Sequence, residues 1–429
     1  MKTAAFVGTR FAGTDGVSLE TAKWARILQE LGFESVYFCG QSDRPAEHSY
    51  IAEEAFFEHP DIAALQDQCF RTTRRTREIT AEIQRLVALL KGELYLFIER
   101  FKPDVLIPQN ALAIPMNIPL GVALTEVIAE TALPVIAHHH DFSWERDRFR
   151  VSAVDDYLSY AFPPALPGMH HVVINREAQR QLALRRGAPA AVVPNVFDFS
   201  LWSADHPQEP IPFPTPDSFN QSLRHELGIR DNQLLILQPT RIIARKGIEH
   251  TIELAAQLHD HNPVVVIPHH ERDEGDSYAE RVVEYAKTFG VELIVNPQQI
   301  GLHRVDPAHS PSGNAVFSLW DLYVHADLVT FPSLYEGFGN AFVEAVSFGK
   351  PVVVQRYSVY REDIEPLGFH TVTIDGYLRE EDVTLTRQII ADQTLRTRWV
   401  EENYRIAAQH FSYSRLNQEL SYLVSRIFP

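Results

Sequence analysis

The sequence predicts an α/β protein of two successive domains, each a parallel sheet with helices on both faces. Three observations lead there. A chain of 429 residues, 45% hydrophobic and 22% charged, exceeds the ~100–200 residues of a single domain. Short β-branched runs, apolar throughout, alternate with helix-length segments, which is the pattern of strands buried on both faces. These runs fall into two series on either side of a proline-rich stretch.

The first series is Ala4–Gly8, Val36–Phe38, Val105–Ile107, Val135–Ala137, Val172–Ile174 and Ala191–Val193. The second is Leu234–Leu237, Val264–Ile267, Leu293–Val295, Leu328–Phe331, Val352–Val354 and Thr371–Ile374. Between them, Phe197–Asn220 carries Pro207, Pro210, Pro212, Pro214 and Pro216 with little periodicity, and so reads as a linker or inserted loop. The expected division is 1–200, a linker over 201–220, 221–405, and a terminal helix over 406–429. Ile79, Ile83, Leu86, Val87, Leu90, Leu94, Phe97, Ile98 and Phe101 make one apolar stripe on a long helix, and Leu416, Leu420, Leu423, Val424 and Ile427 make another. Arg71, Arg74, Arg75 and Arg77 just before the first stripe read as a solvated helix start, with an acidic acceptor or a membrane surface as the alternative.

Composition excludes several functions. Lys and Arg total 39 against 56 Asp and Glu, a formal net charge of −17, the wrong sign for a nucleic-acid surface or an anionic-membrane enzyme. Cys39 and Cys69 cannot form a disulfide framework. The apolar tract from Ala111 to Ala137 is broken by Pro115, Asn117, Pro119, Glu126 and Glu130, so it reads as a loop feeding a buried helix and not as a membrane span. The opening MKTAAFVGTR is too short an apolar run for a secretory signal, and the cytoplasm is the expected location.

The chemistry concentrates at strand ends. In SLYEGFGNAFVEAVSFGKPVVV, residues 333–354, a strand ends, Gly337 and Gly339 free the backbone to approach a ligand, and a helix begins. Such a unit offers N–H groups and a positive dipole end to an anion or sugar hydroxyl. Glu336 stands at the loop mouth and Glu344 inside the helix, where either alone would pass for capping.

The context EGFGNAFVEA followed by GKPVV resembles the donor signature of the retaining family 4 glycosyltransferases, whose fold is GT-B: two Rossmann-like domains facing a cleft. The resemblance implies a nucleotide-diphosphate sugar donor, of the GDP-mannose or UDP-glucose type, bound by the C-terminal domain and transferred to a hydroxyl acceptor held mostly by the N-terminal domain. It places Glu336 at the donor sugar, the loop amides of Gly337, Phe338, Gly339 and Asn340 at sugar and phosphate, and Glu344 at the ribose hydroxyls. In PTRIIARKGIEHTIELAAQL, residues 239–258, Arg241 and Lys246 fall on the same family's Arg-x-x-x-x-Lys-Gly pattern and imply a diphosphate clamp. There the family commonly has an acidic residue where this chain has Arg245, whose role stays open.

RFAGTDGVSLETAKWARIL resembles the family's first glycine loop, with Gly16 near the donor phosphates. AHHHDFSWERDRF, residues 137–149, carries three histidines that cannot all reach one metal ion, because consecutive strand residues face opposite ways. The resemblance puts a histidine at the transferred sugar, and His140–Asp141 matches it, with His138 or His139 as register alternatives. Trp144, Glu145 and Arg146 could line the acceptor side or simply pack. Asn110 and Asn117 are acceptor-contact candidates or turn residues, Asp141 an acceptor contact, and Asn195 and Asp198 match the family's interdomain segment. With no Asp-x-Asp triplet, no metal is expected, and no other cofactor; a homo-oligomer stays open. A glycoside phosphorylase on the same fold, holding inorganic phosphate at the clamp, and a non-catalytic nucleotide-sugar-binding subunit are the rival readings.

Overall fold

The computed structural model describes residues 1–13, 15–203, 205–206, 209–268, 276–310 and 313–428. Thr14 of the first glycine loop and Pro207 of the proline-rich stretch lie outside them. The chain divides into two compact units, one of Met1–Val196 with Tyr413–Pro429, the other of Phe197–Ser412.

Among the described residues, the main sheet of the N-terminal unit has seven strands: β1 Lys2–Val7, β2 Phe33–Cys39, β3 Ser49–Ile51, β4 Val105–Pro108, β5 Val135–His139, β6 Met169–Val173 and β7 Ala190–Val192. Their order is β3-β2-β1-β4-β5-β6-β7, parallel throughout. Alternation along β1 explains the layers. Ala4 and Phe6 face a core with Trp24, Ile27 and Leu28 of helix α1 (Gly16–Glu30), whereas Ala5 and Val7 face Ile83, Leu86 and Leu90 of α2 (Arg77–Phe101). Helix α3, Ile118–Thr131, is the buried helix expected from the tract 111–137, and its residues Ile118–Thr125 are buried throughout. Of the arginines before α2, Arg75 is spent on a two-pronged pair with Asp156 at 2.7 Å.

The C-terminal unit holds β8 Leu234–Leu237, β9 Pro263–Ile267, β10 Glu292–Val295, β11 Leu328–Phe331, β12 Val352–Gln355 and β13 Val372–Ile374, in the order β10-β9-β8-β11-β12-β13, again all parallel. Helices α4 (Ile248–Gln257), α5 (Asn340–Ser347) and α6 (Gln393–His410) belong to it. In both sheets the strand order reverses beside the first strand, between β1 and β4 and between β8 and β11. Open α/β sheets bind ligands at that point, outside the carboxyl ends.

The proline-rich stretch is not a spacer. Ile211 is buried, the Phe213 ring meets Tyr404 edge-on at 5.5 Å, and Leu201 N donates to Tyr404 Oη at 3.1 Å, so the segment is an arm laid on the C-terminal unit. Its prolines break regular structure without preventing packing. The last helix, α7, begins at Tyr413, not at 406, because α6 runs to His410 and the chain bends at Phe411–Ser412, where Phe197 N donates to Phe411 O at 2.8 Å. Leu416, Leu420 and Leu423 of α7 join the N-terminal core beside Trp24 and Leu28. Among the described residues no helix is long and apolar enough to cross a membrane.

Candidate donor and acceptor sites

In the C-terminal unit the loops after β8 and β11 are laced together. Beyond β8 the chain passes Arg241, makes a helical turn over Ala244–Lys246 and enters α4 through Gly247. Gly247 has φ +59, and a Cβ there would sit 2.3 Å from Pro332 O, so only glycine lets the two loops meet. Leu334 N donates to Arg245 O at 2.8 Å. Arg245 Nη1 reaches Tyr335 O at 3.0 Å and Glu336 Oε2 at 3.3 Å, and Lys246 Nζ pairs with Glu336 Oε1.

Lys246 is 8% exposed, a depth at which a charge persists only when paired. Burial pushes the Glu336 carboxyl up, but the Lys246 and Arg245 charges more than cancel that and hold it below its ordinary value. Burial likewise lowers the Lys246 ammonium, against the pull of Glu336. Arg241 lies in the same loop and its charge acts on Lys246 in the same downward sense. The structure therefore brings Arg241, Lys246 and Glu336 together, and adds Arg245.

Past Glu336, Gly339 caps α5 with φ +122, and a Cβ would meet Tyr357 Oη at 2.2 Å. Tyr357 Oη donates to Phe338 O at 2.7 Å, and the buried Phe338 ring stands edge-on to Phe411 at 5.3 Å. The Phe338 side chain is thus an anchor, which leaves only its backbone for a donor. Gly337 and Asn340 flank it, Asn340 opening α5. Glu344 lies within α5 and accepts from Tyr323 Oη at 3.0 Å.

The loops after β1 and β4 form the corresponding place in the N-terminal unit. Asp15 caps α1, accepting from Val17 N and Ser18 N at 3.2 Å each and from Ser18 Oγ at 2.6 Å, and Gly16 is the first helical residue. A cavity of about 170 Å³ is lined by Thr9, Arg10, Asp15, Phe57, Gln109 and Asn110, among others. Asn110 sits at φ +59, where its Oδ1 accepts from His140 N at 3.0 Å and its Nδ2 donates to Asp141 Oδ1 at 2.7 Å.

The histidines point three ways. His138 is buried, stacked on Trp24 at 4.2 Å, with Nδ1 3.0 Å from Gln109 Oε1. His139 faces the other side, its Nε2 2.9 Å from His171 Nδ1. His140 lies beyond the strand, partly exposed, with Nε2 3.1 Å from Gln109 Oε1. Burial lowers His140 to about 4, against the pull of Asp141 and Asp15, so its ring is neutral at pH 7. Of the three, His140 alone keeps a partly open face.

Other expected residues are held by contacts within the chain. Asn117 caps α3: its Oδ1 accepts from Leu120 N at 3.0 Å and its Nδ2 donates to Glu54 O at 2.8 Å and Ala55 O at 3.2 Å. These bonds use both of its amide hydrogens, and Asn117 also lines the cavity. Trp144 stacks on Phe142 at 4.5 Å and Glu145 accepts from Phe142 N at 3.2 Å, which is local packing and capping. Arg146 pairs with Asp141. Asp198 accepts from Ser200 N at 2.9 Å in a turn, and Asn195 is buried. Conversely, Arg10 and Gln109 are not singled out by the sequence. They follow the ends of β1 and β4 by three residues and one, a placement that only the sheet order makes significant.

Residues 312–406 match the family model described as "Glycosyl transferases group 1". The chain is 31% identical over 446 positions to a mannosylglucosylglycerate synthase of Thermotoga maritima, covering 95% of this chain and 96% of that protein. It is 30% identical to the mannosylglucosylglycerate synthase of Petrotoga mobilis, covering 98% and 96%. A glycosyltransferase of Rickettsia africae shares the fold, with a TM-score of 0.65 at 14% identity over 99% of this chain and 98% of that one. The chain therefore belongs to the group 1 glycosyltransferases and has their GT-B architecture of two Rossmann-like domains.

Proposed function

We propose that this chain transfers a hexose, mannose by analogy with its relatives, from a nucleotide-diphosphate sugar to a hydroxyl of an acidic glycoside such as glucosylglycerate. The relatives' names describe a product built of mannose, glucose and glycerate, and alignment over almost the whole of both chains extends that reading here. The observation that carries the transfer chemistry is the buried Lys246–Glu336 pair beside Arg241, seated where the C-terminal strand order reverses.

Arg241 and Lys246 hold the donor diphosphate and stabilise it as negative charge develops on leaving. Glu336 orients the donor sugar, the Gly337–Asn340 backbone and Gly16 serve sugar and phosphates, and Glu344 takes ribose hydroxyls. In the N-terminal unit, neutral His140 serves the transferred sugar, with Asn110 and Asp141 on the acceptor side. The acceptor oxygen forms its bond to the anomeric carbon on the face the diphosphate leaves, and the departing phosphate oxygen receives the hydroxyl proton. Configuration is retained, no metal is required, and the products are a nucleoside diphosphate and the elongated glycoside. The reaction belongs in the cytoplasm.

The test incubates the protein with GDP-mannose, UDP-glucose and related donors, with and without glucosylglycerate. Nucleoside diphosphate release should be stimulated by the acceptor, and the product's anomeric couplings should match those of the donor. Absence of release from every donor, or release that needs inorganic phosphate, would overturn the reading.

A further inference from the structure

We infer that the cavity at the carboxyl end of β1 and β4 is the acceptor's acid pocket, in which Arg10 binds the carboxylate. The inference rests on the acceptor class proposed above and goes beyond it by naming the residue that selects the acid. Arg10 lines the cavity about 170 Å³ in volume, which suits a small hydroxy-acid end and not a whole disaccharide. The position is the reversal point of the N-terminal sheet, the mirror in topology of the Lys246 loop.

Arg10 is a cation in a chain of net charge −17, and its guanidinium is held without being consumed. The group rests 5.4 Å from the centre of the Phe57 ring, and its ion pair among the described residues is with Asp15 at 3.4 Å. Asp15 already accepts from three donors at the start of α1, so its charge is largely met there. A guanidinium has five N–H donors in a fork that matches a carboxylate, leaving it the capacity to bind one two-pronged.

A second observation is independent of charge. Gln109, 2% exposed, lines the same cavity, and its oxygen is taken by His138 and His140. Its side-chain nitrogen is buried with no hydrogen-bond partner among the described residues. An unmet buried donor is costly in a folded protein.

The test compares glucosylglycerate with glucosylglycerol, the same glycoside with CH₂OH in place of the carboxylate, on the full chain. Wild type should favour the acid in kcat/KM, and Arg10→Gln should lower the acid's value about 10- to 100-fold, the loss expected for a charged hydrogen-bond partner, bringing the acid-to-neutral ratio near one. Arg10→Lys should recover part of that ratio, which a folding defect would not allow, and a thermal melt checks the fold of each variant. A wild type indifferent to the carboxylate, or an Arg10→Gln variant that keeps the wild-type ratio, overturns the inference. If wild type transfers to neither glycoside, the proposed reaction fails separately. Calorimetric titration with D-glycerate then decides the pocket: heat in wild type that disappears in Arg10→Gln upholds it, and no heat in wild type overturns it.

Discussion

The Lys246 ammonium and the Glu336 carboxylate form a buried ion pair that ties the loop after β8 to the loop after β11. Neither strand-end loop is therefore independent of the other. In the proposed reaction a charge that holds a diphosphate also neutralises a carboxylate that orients a sugar, so binding and positioning would share one contact.

Lys246→Ala and Arg241→Ala should each lower kcat/KM by ~10²–10³, the usual loss for one charge partner of a leaving group. Lys246→Ala also leaves Glu336 buried with Arg245 as its remaining cation, and should cost up to about 3 kcal/mol of stability, read from denaturant unfolding. Wild-type turnover in either variant would remove the diphosphate clamp.

Glu344→Ala should mainly weaken donor binding, whereas Glu336→Gln should mainly depress kcat, because in the proposed reaction its charge would act at the reacting sugar. Titrating nucleoside diphosphate into both variants, alongside steady-state kinetics, separates them. Small and equal effects would return both glutamates to structural roles.

Gly247→Ala should destabilise the protein by about 1–3 kcal/mol, since it combines a left-handed backbone with a Cβ driven at Pro332 O. Activity should fall with it, because the same approach aligns Lys246 with Glu336. Gly290, with φ +66 and open space around it, should tolerate alanine with only the backbone cost. A Gly247→Ala variant no less stable than Gly290→Ala would contradict the packing argument.

Burial lowers His140 and His171 to about 4, and His138 and His139 well below their ordinary value. The unfolded chain, with histidine near 6.5, then binds more protons than the native state between about pH 4 and 6.5. Stability from these groups is complete above the unfolded value and is lost as pH falls through that window. Melting temperatures from pH 7.5 down to 4.5 should fall, and His171→Asn should flatten the slope. A profile flat across that range would refute neutral burial.

Transfer should survive exhaustive chelation with at most a modest change in rate. In the proposed reaction Arg241, Lys246 and the start of α5 would supply the positive potential where the leaving charge forms. Among the described residues, no three acidic, histidine or cysteine side chains come together to hold an ion. Loss of activity in EDTA that Mg²⁺ or Mn²⁺ restores would show the phosphate site to be otherwise built.

Much of the fold was legible because buried parallel strands are apolar throughout. All twelve expected runs are strands, whereas β3, Ser49–Ile51, was missed because an edge strand of three residues carries no such run. Motif spacing singled out the loops after β8 and β11, which meet through Lys246 and Glu336. The acceptor side was not: Asn110 and Asn117 look alike in sequence, yet one holds Asp141 and the other caps a helix. Arg10 and Gln109, about a hundred positions apart, become neighbours only when β1 pairs with β4. Similarly, proline content marks the absence of helix in the arm at 197–220 but is silent on Phe213 packing against Tyr404.

Helix α7 bears on the order of assembly. Trp24 and Leu28, made early in synthesis, share a core with Leu416, Leu420 and Leu423, which leave the ribosome only after the entire C-terminal unit. Until then one face of α1 stays uncovered in the nascent chain. The first domain to be synthesised is thus the last to be completed, and a chain ending at Ser412 should emerge with that apolar face exposed and aggregate or recruit chaperones. Supplying Tyr413–Ile427 as a separate peptide should rescue it.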